Sequence, residues 1–170
     1  MVMSGLVSAF ISWGHYIIAA FGYPGLFIVS IIGNASIILP LPTILFVIAF
    51  AEVHKDFWLV GLVSGLGAAI GELTGYYAGM GGRLLIEKNH KHLFDRTKKW
   101  VQKFGMFLVI IFFAATPLPA DVIGIIAGII RYDVKKFLLA NFIGKAVKFT
   151  VLAYASVNAI DFILKMFVGS

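Results

Sequence analysis

The sequence predicts an all-α integral membrane protein built as an inverted repeat, with two opposed re-entrant helical hairpins broken at Pro-Leu-Pro motifs and about three full transmembrane helices. Three observations predict it. The 170-residue chain is 61% hydrophobic and 13% charged, with a mean hydropathy of +0.98, whereas a soluble domain carries about 25% charge and about 45–50% apolar residues. Pro40-Leu41-Pro42 recurs as Pro117-Leu118-Pro119, each between apolar half-segments. Arg83, Lys88, Lys91, Arg96, Lys98, Lys99 and Lys103 all fall in one stretch between apolar segments.

These features also exclude function classes. There is no cysteine, which removes disulfides and thiolate metal sites. His90 and His92 lie in a charged loop with no converging carboxylate–histidine set, so no metal site is expected. The net charge of +6 does not point to nucleic acid, because its placement is that of the positive-inside rule. Residues 81–103 are accordingly expected on the cytoplasmic side of a multi-pass protein of a prokaryotic plasma membrane. Met1 to Ala20 lacks a basic n-region and runs on into further apolar segments, which argues against a cleavable signal. The length suits one membrane domain, 1–170, without a soluble catalytic domain. No nucleophile–base set appears, so neither an enzyme nor a cofactor is expected.

Taken in order, Val2 to Phe21 is long enough to span, and Gly22-Tyr23-Pro24-Gly25 reads as a turn. Leu26 to Leu39 is apolar, Pro40-Leu41-Pro42 interrupts, and Thr43 to Ala51 resumes before a polar link, Glu52 to Asp56. Phe57 to Met80 is a full span, about 24 residues and roughly 36 Å long. The basic segment, Gly81 to Lys103, carries Leu84, Leu85, Leu93, Trp100 and Val101, which suit the membrane surface. Phe104 to Thr116 is apolar, Pro117-Leu118-Pro119 interrupts, and Ala120 to Ile130 resumes before a second basic link, Arg131 to Lys136. Phe137 to Val157 spans, and Asn158 to Ser170 reads as a short tail that suits an interfacial helix.

The chain thus divides into repeat 1 (about 22–80), the basic segment, repeat 2 (about 104–157) and the tail (158–170). At the offset separating the proline motifs, Gly67-Ala68-Ala69-Ile70 faces Gly144-Lys145-Ala146-Val147, and Tyr77-Ala78 faces Tyr154-Ala155. Shared order supports a duplication of the kind seen in transporters. Two prolines one residue apart remove two backbone donors and push the preceding residues from helical angles. In hydrocarbon the freed carbonyls need protein or water partners. The pieces are also short, roughly 21 Å and 16 Å against a core of about 30 Å. A kinked helix crossing once would put Arg131, Lys135 and Lys136 opposite the basic segment, whereas a hairpin keeps both on one side. By duplication the first broken pair is a hairpin from the other face, and the two proline tips meet near mid-membrane.

Several polar residues fall inside these segments. Gly67, Gly71, Gly75 and Gly79 form a small-residue ridge on which another backbone can pack closely. Glu72 sits beside it, either near the interface or paired, or serving as an ion or proton site. Asn141, Lys145 and Lys148 share one face of the last span. Lys145 is read as near enough to the helix end to snorkel, and Lys148 as the deep lysine needing a partner, Asp121 or Glu72. That pairing is either structural or part of a cationic headgroup site aided by the helix N-termini after Pro42 and Pro119. Asn34, Ser36, Thr43 and Thr116 line the breaks and are read as satisfying backbone groups. The expected headgroup or ion pathway is therefore Asn34, Pro40, Pro42, Glu72, Pro117, Pro119, Asp121, Asn141, Lys145 and Lys148.

Gly71-Glu72-Leu73-Thr74-Gly75-Tyr76-Tyr77-Ala78-Gly79, Phe104-Gly105 and Thr116-Pro117-Leu118-Pro119-Ala120-Asp121-Val122-Ile123-Gly124 resemble the DedA superfamily, also called the VTT or SNARE-associated family. So do Ala127-Gly128 and Phe137 with Asn141 and Gly144, over roughly Gly22 to Ala155. The resemblance implies two opposed re-entrant hairpins and lipid movement between leaflets, of polyprenyl phosphate in bacteria or phospholipid in eukaryotes. The chain departs from many bacterial members, carrying Asn34, Ala35 and Ile44 in place of acids, and Ala114 and Ala120 in place of arginines. Passive scrambling fits this depleted charge set at least as well as proton coupling. The expected partners are membrane lipids. A proton- or ion-coupled solute transporter and a non-transporting scaffold are the alternatives, and the oligomeric state is left open.

Overall fold

A computed structural model describes residues 2–35, 43–81, 105–118 and 120–168, with side chains described over 5–35, 43–81, 105–118 and 120–159. The described residues form helices α1 (Val2–Phe21), α2 (Tyr23–Ala35), α3 (Thr43–His54), α4 (Phe57–Gly71), α5 (Leu73–Gly81), α6 (Met106–Ala115), α7 (Ala120–Ile129) and α8 (Val134–Val168). Pro40, Pro42, Pro119, Ser36 and the basic segment after Gly81, with His90 and His92, lie outside the described residues. Two stretches are long and apolar enough to cross a membrane, Phe57–Gly81 and Val134–Ala159. The first is α4 and α5 together: Glu72 interrupts the helix, yet Glu72 N–H reaches Ala68 O at 3.0 Å and Tyr76 N–H reaches Glu72 O at 3.2 Å. The segment is continuous across a local bend.

Local chemistry explains where the helices begin and end. The turn expected over four residues contracts to Gly22 alone, which takes φ +60°, while Pro24 falls in the first turn of α2. Proline is tolerated there because its missing N–H has no intrahelical partner to lose. Asp56 caps α4 by accepting from Leu59 N–H at 3.2 Å, and Asp133 accepts from Lys136 N–H at 2.9 Å at the start of α8. Asp56 and Asp133 stand at the offset that separates Pro40 from Pro117. A residue of positive φ precedes each cap, Lys55 (56°) immediately before Asp56 and Arg131 (53°) two residues before Asp133.

At Arg131 the backbone closes α7 with Tyr132 N–H to Ala127 O at 2.9 Å and Arg131 N–H to Gly128 O at 3.0 Å, a left-handed cap for which glycine is the easier residue. Arg131→Gly is expected to stabilise the fold by about 1 kcal/mol, since the left-handed conformation costs an L-residue about 1–2 kcal/mol. Reversible unfolding in mixed micelles measures it.

Helix α8 runs on without interruption past Asn158 to Val168. No glycine or proline occurs between Gly144 and Gly169. The Asn158 side chain bonds back to Tyr154 O at 2.7 Å and leaves the helix intact.

Packing follows the small residues. A Cβ on Gly67 would lie 2.6 Å from Phe27 O, and one on Gly71 would lie 2.4 Å from Ile31 O. Both numbers rise together, so α2 runs parallel to α4. One on Gly79 would lie 2.1 Å from Ile125 O, and the nearest atom to Gly75 is Asp121 O at 3.8 Å. By the same reasoning α7 runs parallel to α5. The four-glycine ridge therefore carries α2 on its first half and α7 on its second. The C-terminus of α2 and the N-terminus of α7 meet beside Glu72, in the interior of the Phe57–Gly81 segment.

Further contacts set α2 and α3 side by side and antiparallel. Tyr23 meets Phe50 and His54 at ring distances of 4.9 and 5.4 Å, while Gly33 at the other end meets Thr43. Helix α8 crosses α4 antiparallel, with Gly61 against Thr150 and Gly65 against Ala146. Two apolar cores result. One joins Leu26, Val47, Val60 and Phe149, and the other joins Ile110, Ile123, Tyr76 and Phe137.

Candidate functional site

Between the two cores lies a buried polar centre. Lys145, on α8, donates to Glu72 Oε1 at 2.7 Å and to Asn34 Oδ1 at 3.0 Å. The Lys145 and Glu72 side chains are 4% and 3% exposed. Three elements supply this set: the bend between α4 and α5, the last turn of α2, and the middle of α8. Asn34 is held by its own Nδ2 donating to Ser30 O at 2.9 Å, and the end of α2 is tied down by Thr74 Oγ1 donating to Ala35 O at 2.8 Å. Burying two charges carries a desolvation cost that only close geometry offsets. Contact at 2.7 Å with a second acceptor on the ammonium meets that requirement.

Here the structure corrects the sequence reading. Glu72 is paired, but with Lys145, the lysine expected to snorkel. Lys148 is part-exposed and forms no ion pair among the described residues; its Nζ lies 5.9 Å from the Phe149 ring centroid. Asp121 is part-exposed in the first turn of α7 and likewise forms no ion pair there. Neither pair expected of Lys148, with Asp121 or with Glu72, is therefore formed among the described residues, although both Asp121 and Lys148 lie within Coulomb range of Glu72 and Lys145. The cause is the rotation of α8. Lys145 reaches Glu72 and Asn141 is buried on the same side, whereas Lys148 is part-exposed at the margin of that face.

The other expected residues are distributed as follows. Asn141 is 1% exposed, and its Nδ2 donates to Phe137 O at 3.3 Å. Thr116 satisfies backbone as expected, donating to Phe112 O at 2.8 Å. Thr43 is buried with its hydroxyl unpartnered among the described residues. Asn34 does more than satisfy backbone, since its carbonyl also accepts from Lys145. Pro117 and Leu118 are exposed at the end of α6. Sequence reading missed Ser30 and Ser64, both fully buried with unpartnered hydroxyls. Small hydroxyls in apolar runs give no periodic signal that would have marked them. Among the described residues no group of three or more His, Cys, Asp or Glu side chains is placed to hold a metal.

A protein whose described residues are helical, with two membrane-length stretches and with α2 ending and α7 beginning beside a buried charge pair, is a membrane protein with a polar interior. The chain belongs to the VTT-domain family, the DedA family, whose family model matches residues 39–158. It is similar to an uncharacterized protein of Methanocaldococcus jannaschii, 27% identical over 134 residues that cover 78% of this chain and 82% of that protein. No solved structure gives a significant match.

Proposed function

We infer that the protein moves lipid headgroups between leaflets, as a multi-pass protein of a prokaryotic plasma membrane with residues 81–103 cytoplasmic. In this reading α2–α3 and α6–α7 are re-entrant hairpins that enter from opposite faces, and their tips lower the barrier to a headgroup at mid-depth. One observation carries it: parallel packing on the glycine ridge brings the end of α2 and the start of α7 to Glu72. Membership of the VTT-domain family supports the same reading. A headgroup crosses hydrocarbon slowly because its polar and charged atoms lose hydration. Part-exposed Asp121 and Lys148 beside the closed Glu72–Lys145 pair offer it a polar surface, and its acyl tails stay in lipid.

The test is leaflet exchange of labelled phospholipid and polyprenyl phosphate in proteoliposomes, with and without a pH gradient. Exchange is expected to be bidirectional and indifferent to the gradient, and Asp121→Leu or Lys148→Leu should slow it about tenfold or more, the effect of one charged hydrogen-bonding group. Lys135→Ala, at the exposed start of α8, should change it little. Rates equal to those of empty liposomes for both lipids would refute lipid transfer.

A further inference from the structure

Helix α1 precedes residues 39–158, the part of the chain that the family model matches. It packs on α2, with Ile17 and Ile18 against Gly25 and Phe10 beside Gly33. Phe10, Gly14 and His15 also meet Phe46 of α3. Because α2 sets Phe27 on Gly67 and Ile31 on Gly71, these contacts fix the depth of α1. Ser12 and His15 fall between them, level with residues 67–71 in the middle of the Phe57–Gly81 segment.

The outward face of α1 differs from those of the two long spans. Trp58, Leu62 and Leu66 are exposed on α4, and Leu139, Val147 and Val151 on α8, all large and apolar. On α1 the exposed row is Gly5, Ser8, Ser12, His15 and Ala19, with Leu6 and Tyr16 beside it. Ser8 donates to Gly5 O at 2.9 Å, whereas Ser12 and His15 make no hydrogen bond among the described residues. The His15 ring stands edge-on to Phe46, with centroids 5.4 Å apart. Hydrocarbon offers such groups no partner, and an unsatisfied donor or acceptor there is costly. At mid-depth the row calls for a polar neighbour.

Spacing and chemistry together identify that neighbour. The row advances by three and four residues in alternation, which keeps one seam facing a second helix along its length. In a parallel pair about a twofold axis along the membrane normal, each residue meets its own copy at its own depth. A serine hydroxyl and a neutral imidazole each donate and accept, so Ser12 and His15 are self-complementary. A second copy inserted in the same orientation therefore supplies both partners at the required level. A Cβ on Gly5 would meet nothing within 4 Å among the described residues, which leaves room for the backbones to approach.

We propose that α1 is the interface of a parallel homodimer, in which Ser12 and His15 hydrogen-bond across the twofold axis to the same residues of a second copy. This interface is separate from the Glu72–Lys145 centre and holds whether or not the protein moves lipid.

The chain has no cysteine, so single introduced thiols report on proximity. With the full-length protein in liposomes, oxidation should link Ser8→Cys and Ser12→Cys variants into dimers far more than Leu62→Cys or Val147→Cys variants. Energy transfer between fluorescently labelled copies, followed as the protein is diluted with lipid, measures the association. His15→Leu should weaken it about tenfold, the effect of losing an interhelical hydrogen bond in a membrane. His15→Gln, which keeps a donor and an acceptor, should weaken it much less. The Tm of the diluted monomer should change little in either variant, because His15 is exposed. Energy transfer no greater than that of randomly placed monomers would overturn the proposal and leave the row to another membrane protein. Strongest linkage at 62 or 147, or association equally tight in His15→Leu and His15→Gln, would overturn it as well.

Discussion

Lys145→Met is expected to destabilise the protein by about 3–5 kcal/mol, the cost of leaving one member of a buried ion pair uncompensated. Methionine nearly preserves the volume, so the loss reports charge more than packing. Glu72 would remain 3% exposed with no ammonium beside it, and Asn34 would lose its only donor among the described contacts. The double substitution Glu72→Leu with Lys145→Met should recover most of that loss, because both desolvation costs disappear together. Lys148→Met should cost much less, since the part-exposed Lys148 forms no ion pair among the described residues. Unfolding in mixed micelles gives all four stabilities. A larger effect at 148 than at 145 would mean that α8 is rotated from the position described here.

The glycine ridge gives the second large effect, and it is uneven. Gly71→Ala and Gly79→Ala place a Cβ 2.4 and 2.1 Å from backbone oxygens of Ile31 and Ile125. Backbone cannot rotate away as a side chain can, so each substitution should force α2 or α7 off the span and cost about 1–3 kcal/mol or more. Gly75→Ala meets nothing closer than Asp121 O at 3.8 Å. There, replacing a helix-interior glycine should be neutral or stabilising by about 0.5–1 kcal/mol. The same unfolding assay checks all three. Equal losses at 71, 75 and 79 would contradict the parallel packing of α7 on α5.

This unevenness shows how the sequence bears on the fold. Spacing alone marked Gly67, Gly71, Gly75 and Gly79 as one close-packing ridge, because helical periodicity places every fourth residue on one side. It did not indicate that two different helices share the ridge, nor that Gly75 falls at the changeover where neither backbone presses hard. That depends on where α2 stops and α7 starts, a matter of three-dimensional registry.

Composition and hydropathy by themselves determined an all-helical membrane protein, since only segments that satisfy their own backbone suit hydrocarbon. The motifs from Gly71 to Gly79 and from Thr116 to Gly124 determined the family. The proline pairs marked the broken segments, and Glu72, Asn141 and Lys145 were legible as intramembrane polar residues for want of any other reason to be there. Tertiary structure alone decided who pairs with whom. Lys145 and Lys148 lie less than one turn apart on one face, and their long side chains reach over similar distances. A modest rotation of α8 therefore selects between them, and no sequence pattern encodes that rotation. It is set by Gly61 against Thr150, Gly65 against Ala146 and Gly144 against Ile111 and Ala114, contacts between residues far apart in the chain. The close approach at these glycines fixes the helix, and the fixed helix delivers Lys145 rather than Lys148 to Glu72.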